Sequence, residues 1–387
     1  QLFRDLGNQT YNKETMLEYG WYGENATDVR TGYVNGIPTS GNDNSEGGMG
    51  KGGSQMMAYP TLFFDYDKDD QRRDVSVCNY GIVLSAKGNK YQMNTYNGMG
   101  VGKYRINWKK EMGATNSKRN INFPLLRYAD VLLMYAEALN EVNNGPTQEA
   151  INAVKEVRKR AFRGNEAKAA AGIPTNHDDF LTFIQKERKL ELSNEGLRRT
   201  DLTRWGKQYE MLMAEKQRLV NLAKRDGEFA NVPVYRAYYL STTPKFEDPT
   251  IALSYIDLSQ ADVEALGLSA DQIKTLKILN SSSKGSLKDV KLYEKDGKLY
   301  SAVNKPEGAV EHSYTILNMF SIVSIKQKGN LCVEDVTGVS SNNAWITGNS
   351  GVFYGLQKNM TELMPFNTSK ILDVNAGLEG QQHPAYK

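Results

Sequence analysis

Apolar residues recur at helical spacing only in the middle of the chain. Three stretches with this period predict helices over residues 123–142, 147–162 and 177–196, and a fourth helix is expected to begin near residue 197. Two helix–turn–helix pairs in succession, with small residues such as Ala136 where helices cross, predict tetratricopeptide-like stacking, although the strict repeat signature is absent.

The ends of these predicted helices carry recognisable signals. Gly145 is expected to end the first helix, and Thr147 to open the second. The third helix is expected to be capped by Asp178 or Asp179 and to end at Gly196.

The charged residues of stretch 123–142 are predicted to fall on one side of a single helix. A step of about 100° per residue places five positions within an arc of about 80°, namely Arg127, Asp130, Met134, Glu137 and Glu141. Apolar residues and tyrosines cover the remainder of the helix. We therefore expect a helix that is buried on most sides, with its charges paired to neighbouring helices.

The chain before residue 120 has little helical periodicity and is rich in Gly, Asn and Tyr. Its glycine-rich stretch 40–55 predicts a loop, because so many glycines resist a fixed backbone geometry. Three short apolar runs predict strands: "TLFFDY" (61–66), "YGIVLS" (80–85) and, more weakly, "KYRINW" (103–108).

Residues 229–360 have the two-residue alternation that is typical of strands. The pair Asp296-Gly297 lies between two alternating runs and predicts a hairpin turn. The segment "SADQIKTLKIL" (269–279) predicts a short helix. The last residues form a tail that is rich in Pro and Asn.

Together these patterns predict a mainly α protein, in which a tetratricopeptide-like helical-repeat scaffold carries extensive irregular loops and a β-containing insertion. The expected organisation is an irregular region at 1–120, the helical scaffold at 121–228, the β-rich insertion at 229–360 and a C-terminal tail at 361–387 that packs on the scaffold.

Composition argues against several classes of function. The 387 residues are 40% hydrophobic and 24% charged, as in ordinary globular proteins, and the net charge of +3 comes without the basic stripe of a nucleic-acid-binding protein. The sequence has no run of about 18 apolar residues, so no membrane-spanning helix is predicted. A zinc or iron–sulfur site is not expected, because the cysteines and histidines are not closely spaced: Cys78, Cys332, His177, His312 and His383.

Two stretches have some features of cofactor-binding loops and lack others. "EGGMGKGG" (46–53) has no Ser or Thr after Lys51 to hold magnesium. "DYDKDDQRRD" (65–74) has carboxylates at positions 1, 3 and 5 of a calcium loop, but Asp70 stands where Gly is needed and Ser76 where Glu is needed. No cofactor is therefore expected, and adventitious calcium at 65–74 is the one alternative left open.

Glu187, Glu191 and Glu195 are spaced by four residues, with Arg188 and Arg198 near by. Glycoside hydrolysis needs two acids that face each other across roughly 5–10 Å, whereas successive helical turns place them side by side on one wall. Neighbouring arginines also favour the ionised form of a carboxyl group. We therefore predict a structural ion-pair network, comprising Arg127, Asp130, Glu137, Glu187, Arg188, Glu191, Glu195, Arg198 and Asp201.

Two segments of the helical region carry a family likeness. "FPLLRYADVLLMYAEALNE" (123–141) and "ERKLELSNEGLRRTDLTRWGK" (187–207) resemble the two signature blocks of the SusD/RagB family, the surface nutrient-binding lipoproteins of Bacteroidetes. The final "QHPAY" (382–386) is similar to that family's C-terminal Gln-Asn-Pro-Gly-Tyr, with His and Ala replacing Asn and Gly. Residues 2–21 also look like the family segment that precedes its irregular ligand-side region.

Two departures from the family pattern stand out. Members are usually longer at the N-terminus, where the lipid-bearing cysteine and the first helix pairs lie, so the anchor is expected outside this chain and not at Cys78 or Cys332. The stretch 229–360 is also longer than the family pattern implies, and is interpreted as an insertion of this member.

The resemblance implies a lipid-anchored, non-enzymatic protein on the outer membrane at the cell surface. Its scaffold would dock on a SusC-like TonB-dependent transporter, and its loops, with region 1–120 on the ligand side, would capture a glycan for import. Rigidly supported loops are where binding residues concentrate. The aromatic residues of loop-like sequence expected to contact the ligand are Trp21, Tyr22, Tyr33, Tyr59 and Trp345.

Two other functions remain open at this point. A RagB-like member of the same architecture would capture peptides in place of glycans. A glycoside hydrolase with acids in the insertion, such as Glu334 and Asp335, is disfavoured because acids adjacent in sequence do not face each other across a cleft.

Overall fold

The chain divides into two compact units, which are described separately. The first comprises Gln1–Gly196 with Pro233–Ser321, and the second Leu197–Val232 with Ile322–Lys387. The division at residues 121, 229 and 361 that composition predicts stays a prediction. The computed structural model describes residues 1–20, 36–37, 39–42, 56–85, 90–105, 108, 121–240, 253–277, 285–320 and 356–358.

The N-terminal part of the first unit combines short helices with small sheets. Strand β1 pairs antiparallel with β7, β4 lies between parallel β2 and antiparallel β5, and β3 pairs with β6. The described elements up to residue 127 are α1 (Leu2–Gly7), β1 (Thr15–Tyr19), β2 (Thr39–Asn42), α2 (Pro60–Asp65), α3 (Arg72–Ser76), β3 (Val77–Cys78), β4 (Tyr80–Ser85), β5 (Lys90–Met93), β6 (Gly100–Val101) and β7 (Phe123–Arg127).

Of the three strands predicted here, one is confirmed. "YGIVLS" forms β4, whereas "TLFFDY" forms most of helix α2. Pro60 opens that helix at its first position, where a missing N–H and a fixed φ are favourable. In "KYRINW", Lys103 and Tyr104 lie in a turn, and part of the segment falls outside the described residues.

The helical scaffold follows directly on β7. It consists of α4 (Tyr128–Val142), α5 (Gln148–Ala161), α6 (Glu166–Ala170) and α7 (His177–Glu191). The hydroxyl of Thr147 accepts a hydrogen bond from the Ala150 amide at 3.2 Å, so α5 begins as predicted. Helices α4, α5 and α7 meet in one core, whose buried residues include Leu133, Ala136, Val154, Phe180 and Ile184.

The single helix predicted for residues 123–142 is wrong in its first turn, which is strand β7. The partner strand β1 is a hundred residues earlier in the chain, so periodicity within the segment carries no sign of the pairing. The expectation of burial on most sides is also wrong. Tyr128, Met134 and Tyr135 are 52%, 42% and 49% exposed, and the buried stripe of α4 runs through Ala129, Leu133, Ala136 and Asn140.

The predicted ends of the third helix need correction as well. Asn176, and neither Asp178 nor Asp179, caps α7, with its side-chain oxygen accepting from the Asp179 amide at 3.0 Å. The helix ends at Glu191, before Gly196. Asn caps a helix as well as Asp does, so the run Asn176-His177-Asp178-Asp179 offers more than one cap position, and the structure uses the first.

The described part of the second unit is helical. It contains α8 (Arg198–Arg204), α9 (Gln208–Lys224) and a turn of 3-10 helix at Gly227–Phe229. Arg225 follows α9 in the left-handed conformation, with φ of 54°, and this ends the helix.

A five-stranded antiparallel sheet completes the first unit, with strand order β11-β10-β12-β8-β9. Asp296 and Gly297 both have positive φ and form the turn between β10 and β11, which confirms the predicted hairpin. The predicted short helix is confirmed as α11. The elements of this region are β8 (Tyr235–Leu240), β9 (Leu253–Leu258), α10 (Gln260–Ala265), α11 (Ala270–Lys277), β10 (Ser286–Lys295), β11 (Lys298–Tyr300) and β12 (Val310–Asn318).

The coarse class, a mainly helical scaffold accompanied by sheets, is confirmed, whereas the tetratricopeptide-like repeats and the interpretation of 229–360 as an insertion stay predictions. Helices α10 and α11 cover one face of the sheet, around buried residues such as Leu266, Leu276 and Ile316. In the part of the chain that the structure describes, every helix is too short or too polar to cross a bilayer.

Gly102, next to β6, provides a test of the close packing in the first unit. A Cβ at this position would overlap the carbonyl oxygen of Val75 and the guanidinium of Arg105, so Gly102→Ala is expected to lower the free energy of unfolding by about 1–3 kcal/mol. The control is Gly7→Ala, where a Cβ meets nothing within 4 Å. Urea denaturation of both variants checks this, and equal stabilities would contradict the packing described here.

Candidate functional site

A cluster of buried charges lies where the end of α7 meets the strands and loops of the first unit. Glu191 contacts three cations: Arg72 at 3.0 Å, Arg127 at 2.6 Å, and Arg160. Glu195, which follows the helix, pairs with Arg127 at 2.7 Å and Lys103 at 2.5 Å. Each of these two carboxylates is therefore held between cations, and neither is left facing an open cleft.

Arg127 is the most highly connected residue of this cluster. Its guanidinium donates to the carboxylates of Glu14 at 2.7 Å, Glu191 at 2.6 Å and Glu195 at 2.7 and 2.9 Å, and to the Glu191 carbonyl at 2.7 Å. Its side chain is only 2% exposed. A planar guanidinium with several donors suits this role, because each donor meets an acceptor.

The cluster extends to a second arginine and its partners. Arg72 pairs with Glu187 at 2.5 Å and with Asp70 at 2.6 Å, and Arg158 reaches Glu187 at 3.2 Å. Arg160 also binds Glu14 at 2.6 Å. We call this set the charge cluster, and it comprises five acids (Glu14, Asp70, Glu187, Glu191, Glu195) and five cations (Arg72, Lys103, Arg127, Arg158, Arg160). Their formal charges cancel.

Burial and neighbouring charges act in opposite directions on these acids. Burial alone would raise the pKa of Glu191, but the charges of Arg160, Arg127 and Arg72 outweigh it and hold the pKa well below its ordinary value. The pKa of Glu195 is likewise lowered by Lys103 and Arg127 against the effect of burial. Carboxyl groups that stay ionised cannot act as general acids, so the charge cluster is suited to holding the scaffold together.

Other members of the predicted network lie apart from the charge cluster. Arg188 on α7 and Asp130 on α4 are both buried and pair at 2.7 Å between the two helices. Arg127 is buried too, and it belongs to a strand. Glu137 is half-buried on α4, and Glu141 pairs with His177 at 3.2 Å near the surface.

The last two residues of the predicted network, Arg198 and Asp201, belong to the second unit. There the Arg198 guanidinium lies 5.9 Å from the ring centroid of Trp205, and Asp201 accepts a hydrogen bond from Arg204 at 3.1 Å. These are local contacts at α8.

Most of the aromatic residues predicted to contact a ligand lie outside the described residues, namely Trp21, Tyr22, Tyr33 and Trp345. Tyr59 is described; it is half-buried and immediately precedes α2. The glycine-rich segment 46–53 and the acids Glu334 and Asp335 also fall outside the described residues.

The stretch proposed for adventitious calcium has its carboxylates paired with lysines. Asp65 binds Lys189 at 2.6 Å, and Asp67 and Asp69 contact Lys168. Within the described residues, no group of three or more His, Cys, Asp or Glu side chains is arranged to hold a metal ion.

A cavity of about 490 Å³ opens beside the charge cluster, between α1, the segment leading into β1, and helices α4 and α5. Two tyrosines from distant parts of the sequence, Tyr11 and Tyr128, line it. The Tyr128 amide donates to the Glu14 carbonyl at 2.9 Å, which brings the two segments together. We call this cavity the tyrosine groove; it is lined by Gln1, Leu2, Asp5, Tyr11, Asn12, Lys13, Glu14, Tyr128, Ala129, Leu132, Glu156, Val157 and Arg160.

Sequence reasoning missed the tyrosine groove. Helical periodicity places Tyr128 on the covered part of a helix, whereas it is 52% exposed, and Tyr11 lies outside the set of aromatic residues predicted to contact a ligand. The local signal was Asn12, whose side-chain oxygen accepts from the amides of Glu14 at 3.1 Å and Thr15 at 2.7 Å. Such an Asx turn fixes a loop with exposed neighbours, but it does not reveal what the loop packs beside.

Removing one carboxylate from the charge cluster should leave its cations in excess of its carboxylates. Glu191→Gln is expected to lower the free energy of unfolding by about 3–5 kcal/mol, because Arg72, Arg127 and Arg160 lose a shared partner. The matched control is Glu166→Gln, which breaks an exposed pair with Lys159 and should leave stability unchanged. Chemical denaturation distinguishes them, and comparable losses in both variants would refute the role assigned to Glu191.

Acid should destabilise the protein through the same residues. The folded-state pKa of Glu191 and of Glu195 lies below the ordinary value of 4.5, so each carboxylate stabilises the fold above that pH and loses this effect as the pH falls through its folded-state pKa. Urea denaturation between about pH 7 and pH 3 should show stability falling below about pH 4.5. Glu191→Gln should weaken this dependence, and an unchanged slope in the variant would count against the assignment.

Comparison with known proteins supports the family resemblance. The sequence profile described as the SusD family matches residues 11–248. Two SusD-like proteins of Formosa agariphila are similar to the chain: P2 is 31% identical over 162 residues, which are 40% of this chain and 32% of P2, and P25 is 43% identical over 82 residues, which are 21% and 15%.

A crystal structure of a SusD homologue from Bacteroides thetaiotaomicron is 30% identical and superposes with a TM-score of 0.52, over 57% of this chain and 46% of that one. The chain thus spans about a third of the length of P2 and under half of the homologue. Since the family profile covers more than half of the residues, the chain belongs to the SusD family.

Proposed function

We propose that this chain is part of a cell-surface protein that captures polysaccharide or oligosaccharide and delivers it to a SusC-like TonB-dependent transporter of the outer membrane. The observation that carries the proposal is membership of the SusD family over residues 11–248, since the resemblance to that family implies nutrient capture at the surface. Attachment to the membrane by a lipid anchor is part of the same proposal.

The charge cluster supports a binding role without catalysis. The neighbouring arginines and lysine lower the pKa of Glu191 and of Glu195, so these two carboxyl groups stay ionised and are not available to protonate a leaving group. We infer that the protein holds its ligand and does not cleave it. A rigid, fully paired scaffold is a suitable support for loops that bind.

We further propose that the helices stack as tetratricopeptide-like repeats. The packing of α4, α5 and α7 around one shared core supports this arrangement. The small buried residues Ala129, Ala136, Ala150 and Ala153 let these helices approach closely.

The ligand contacts predicted from sequence remain part of this proposal. Trp21, Tyr22, Tyr33, Tyr59 and Trp345 are proposed to stack on sugar rings, because an aromatic face offers a large apolar contact to the C–H side of a sugar while the polar rim satisfies its hydroxyls.

Affinity gel electrophoresis of the full chain against a panel of polysaccharides tests the proposed function. At least one neutral polysaccharide should retard the protein without release of reducing sugar. Trp21→Ala and Trp345→Ala should reduce the retardation, whereas Tyr135→Ala, at an exposed position on α4, should not.

Three outcomes would overturn the proposal in different ways. Release of reducing sugar by the pure protein would make it a hydrolase. Retention of oligopeptides with no response to any glycan would favour a RagB-like peptide-binding role. Full retardation of both tryptophan variants would leave glycan capture in place and reject these residues as its contacts.

A further inference from the structure

The tyrosine groove has the mixed surface of a binding site. Its floor is apolar and comes from helices α4 and α5, through Ala129, Leu132 and Val157. Above this floor stand Tyr128, which is 52% exposed, and Tyr11, which is 87% exposed. A ligand that covers these exposed rings and the apolar floor removes apolar surface from water, which favours binding.

Within the described residues, some polar groups at the rim of the groove are hydrogen-bonded and others are not. Asn12 uses its oxygen to hold the turn before β1, and its amide nitrogen makes no hydrogen bond to any described residue. The Lys13 ammonium and the hydroxyls of Tyr11 and Tyr128 likewise have no partner within the described part of the chain. The rim therefore offers several hydrogen-bond donors close to the two rings.

Charge limits what the groove can accept. Its lining side chains include three carboxylates (Asp5, Glu14, Glu156) and two cations (Lys13, Arg160), a formal side-chain charge of 2 − 3 = −1. Glu14 and Arg160 already neutralise each other at 2.6 Å. A polyanionic ligand would find no excess of cationic side chains to pair with, whereas a neutral ligand rich in hydroxyl groups needs none.

We propose that the tyrosine groove is a binding site for a neutral oligosaccharide, separate from the loop aromatics discussed above. The apolar faces of sugar rings lie on Tyr11 and Tyr128, and sugar hydroxyls accept from Asn12 and Lys13 and donate to Asp5 or Glu156. The cavity of about 490 Å³ has the size of a small-molecule site, roughly 300–1,000 Å³. This inference rests on the proposed function, since it assumes that the protein binds glycans.

Calorimetric titration of the full chain with neutral hexasaccharides tests the site, using maltohexaose, cellohexaose, laminarihexaose and mannohexaose as probes. For the hexasaccharide that binds, Tyr128→Ala and Tyr11→Ala should each weaken affinity about tenfold. Tyr135→Ala is the control, because it removes an equally exposed tyrosine of α4 that does not line the groove. A sulfated hexasaccharide should bind more weakly than its neutral counterpart.

Nitration by tetranitromethane, followed by mass spectrometry of the tyrosine peptides, gives a second readout that needs no variant. The bound hexasaccharide should protect Tyr11 and Tyr128 and leave Tyr135 reactive. Glycan binding with no protection, and with unchanged affinity in both variants, would overturn the groove site while leaving the proposed function intact. No binding of any glycan would overturn the proposed function, and this site with it. Protection by a sulfated saccharide or an oligopeptide, and not by a neutral glycan, would overturn the ligand class.

Discussion

The first unit depends on how Arg127 is compensated. A guanidinium that is 2% exposed is tolerated only if acceptors surround it, and here Glu14, Glu191 and Glu195 supply them from segments far apart in the chain. The Arg127 guanidinium can therefore be buried only when β1, β7 and the end of α7 come together. Replacing such a cluster with apolar residues could give an equally stable protein. We infer that the charge cluster selects this packing over alternatives, because an alternative packing would bury at least one charge without a partner of opposite sign.

The same cluster shapes the surface beside it. Glu14 and Arg160 pair with each other and with the buried charges, and both also line the tyrosine groove. One wall of the groove is thus held by contacts that exist before any ligand arrives. Because little side-chain ordering is then needed on binding, weak contacts such as ring stacking can yield useful affinity. Tyr11 and Tyr128 are exposed, but the segments that carry them are held in place by the charge cluster.

Local signals in the sequence predicted those elements whose stabilising contacts are also local. The cap of α5 by Thr147 and the hairpin at Asp296-Gly297 depend on residues within one turn, and both are confirmed. Residues 123–127 were assigned to a helix because their partner strand β1 is remote in sequence. The same remoteness hides one partner of Arg127, because the ion-pair network predicted from sequence includes Glu191 and Glu195 but not Glu14, which directly precedes β1. The groove was missed because its two tyrosines come from segments that only the β1–β7 pairing brings together.

The family likeness and the ligand question concern different parts of the molecule. The two blocks that carry the likeness contain Arg127, Glu191 and Glu195, the residues whose charges must match for the first unit to form. Neutralising any one of them alone leaves the buried cluster with one charge in excess, whereas a groove residue such as Tyr11 can change without that cost. Similarity in these blocks therefore reports a shared scaffold. The ligand that this chain binds must be argued from its exposed aromatic residues and from the charges around them, which the scaffold supports and does not dictate.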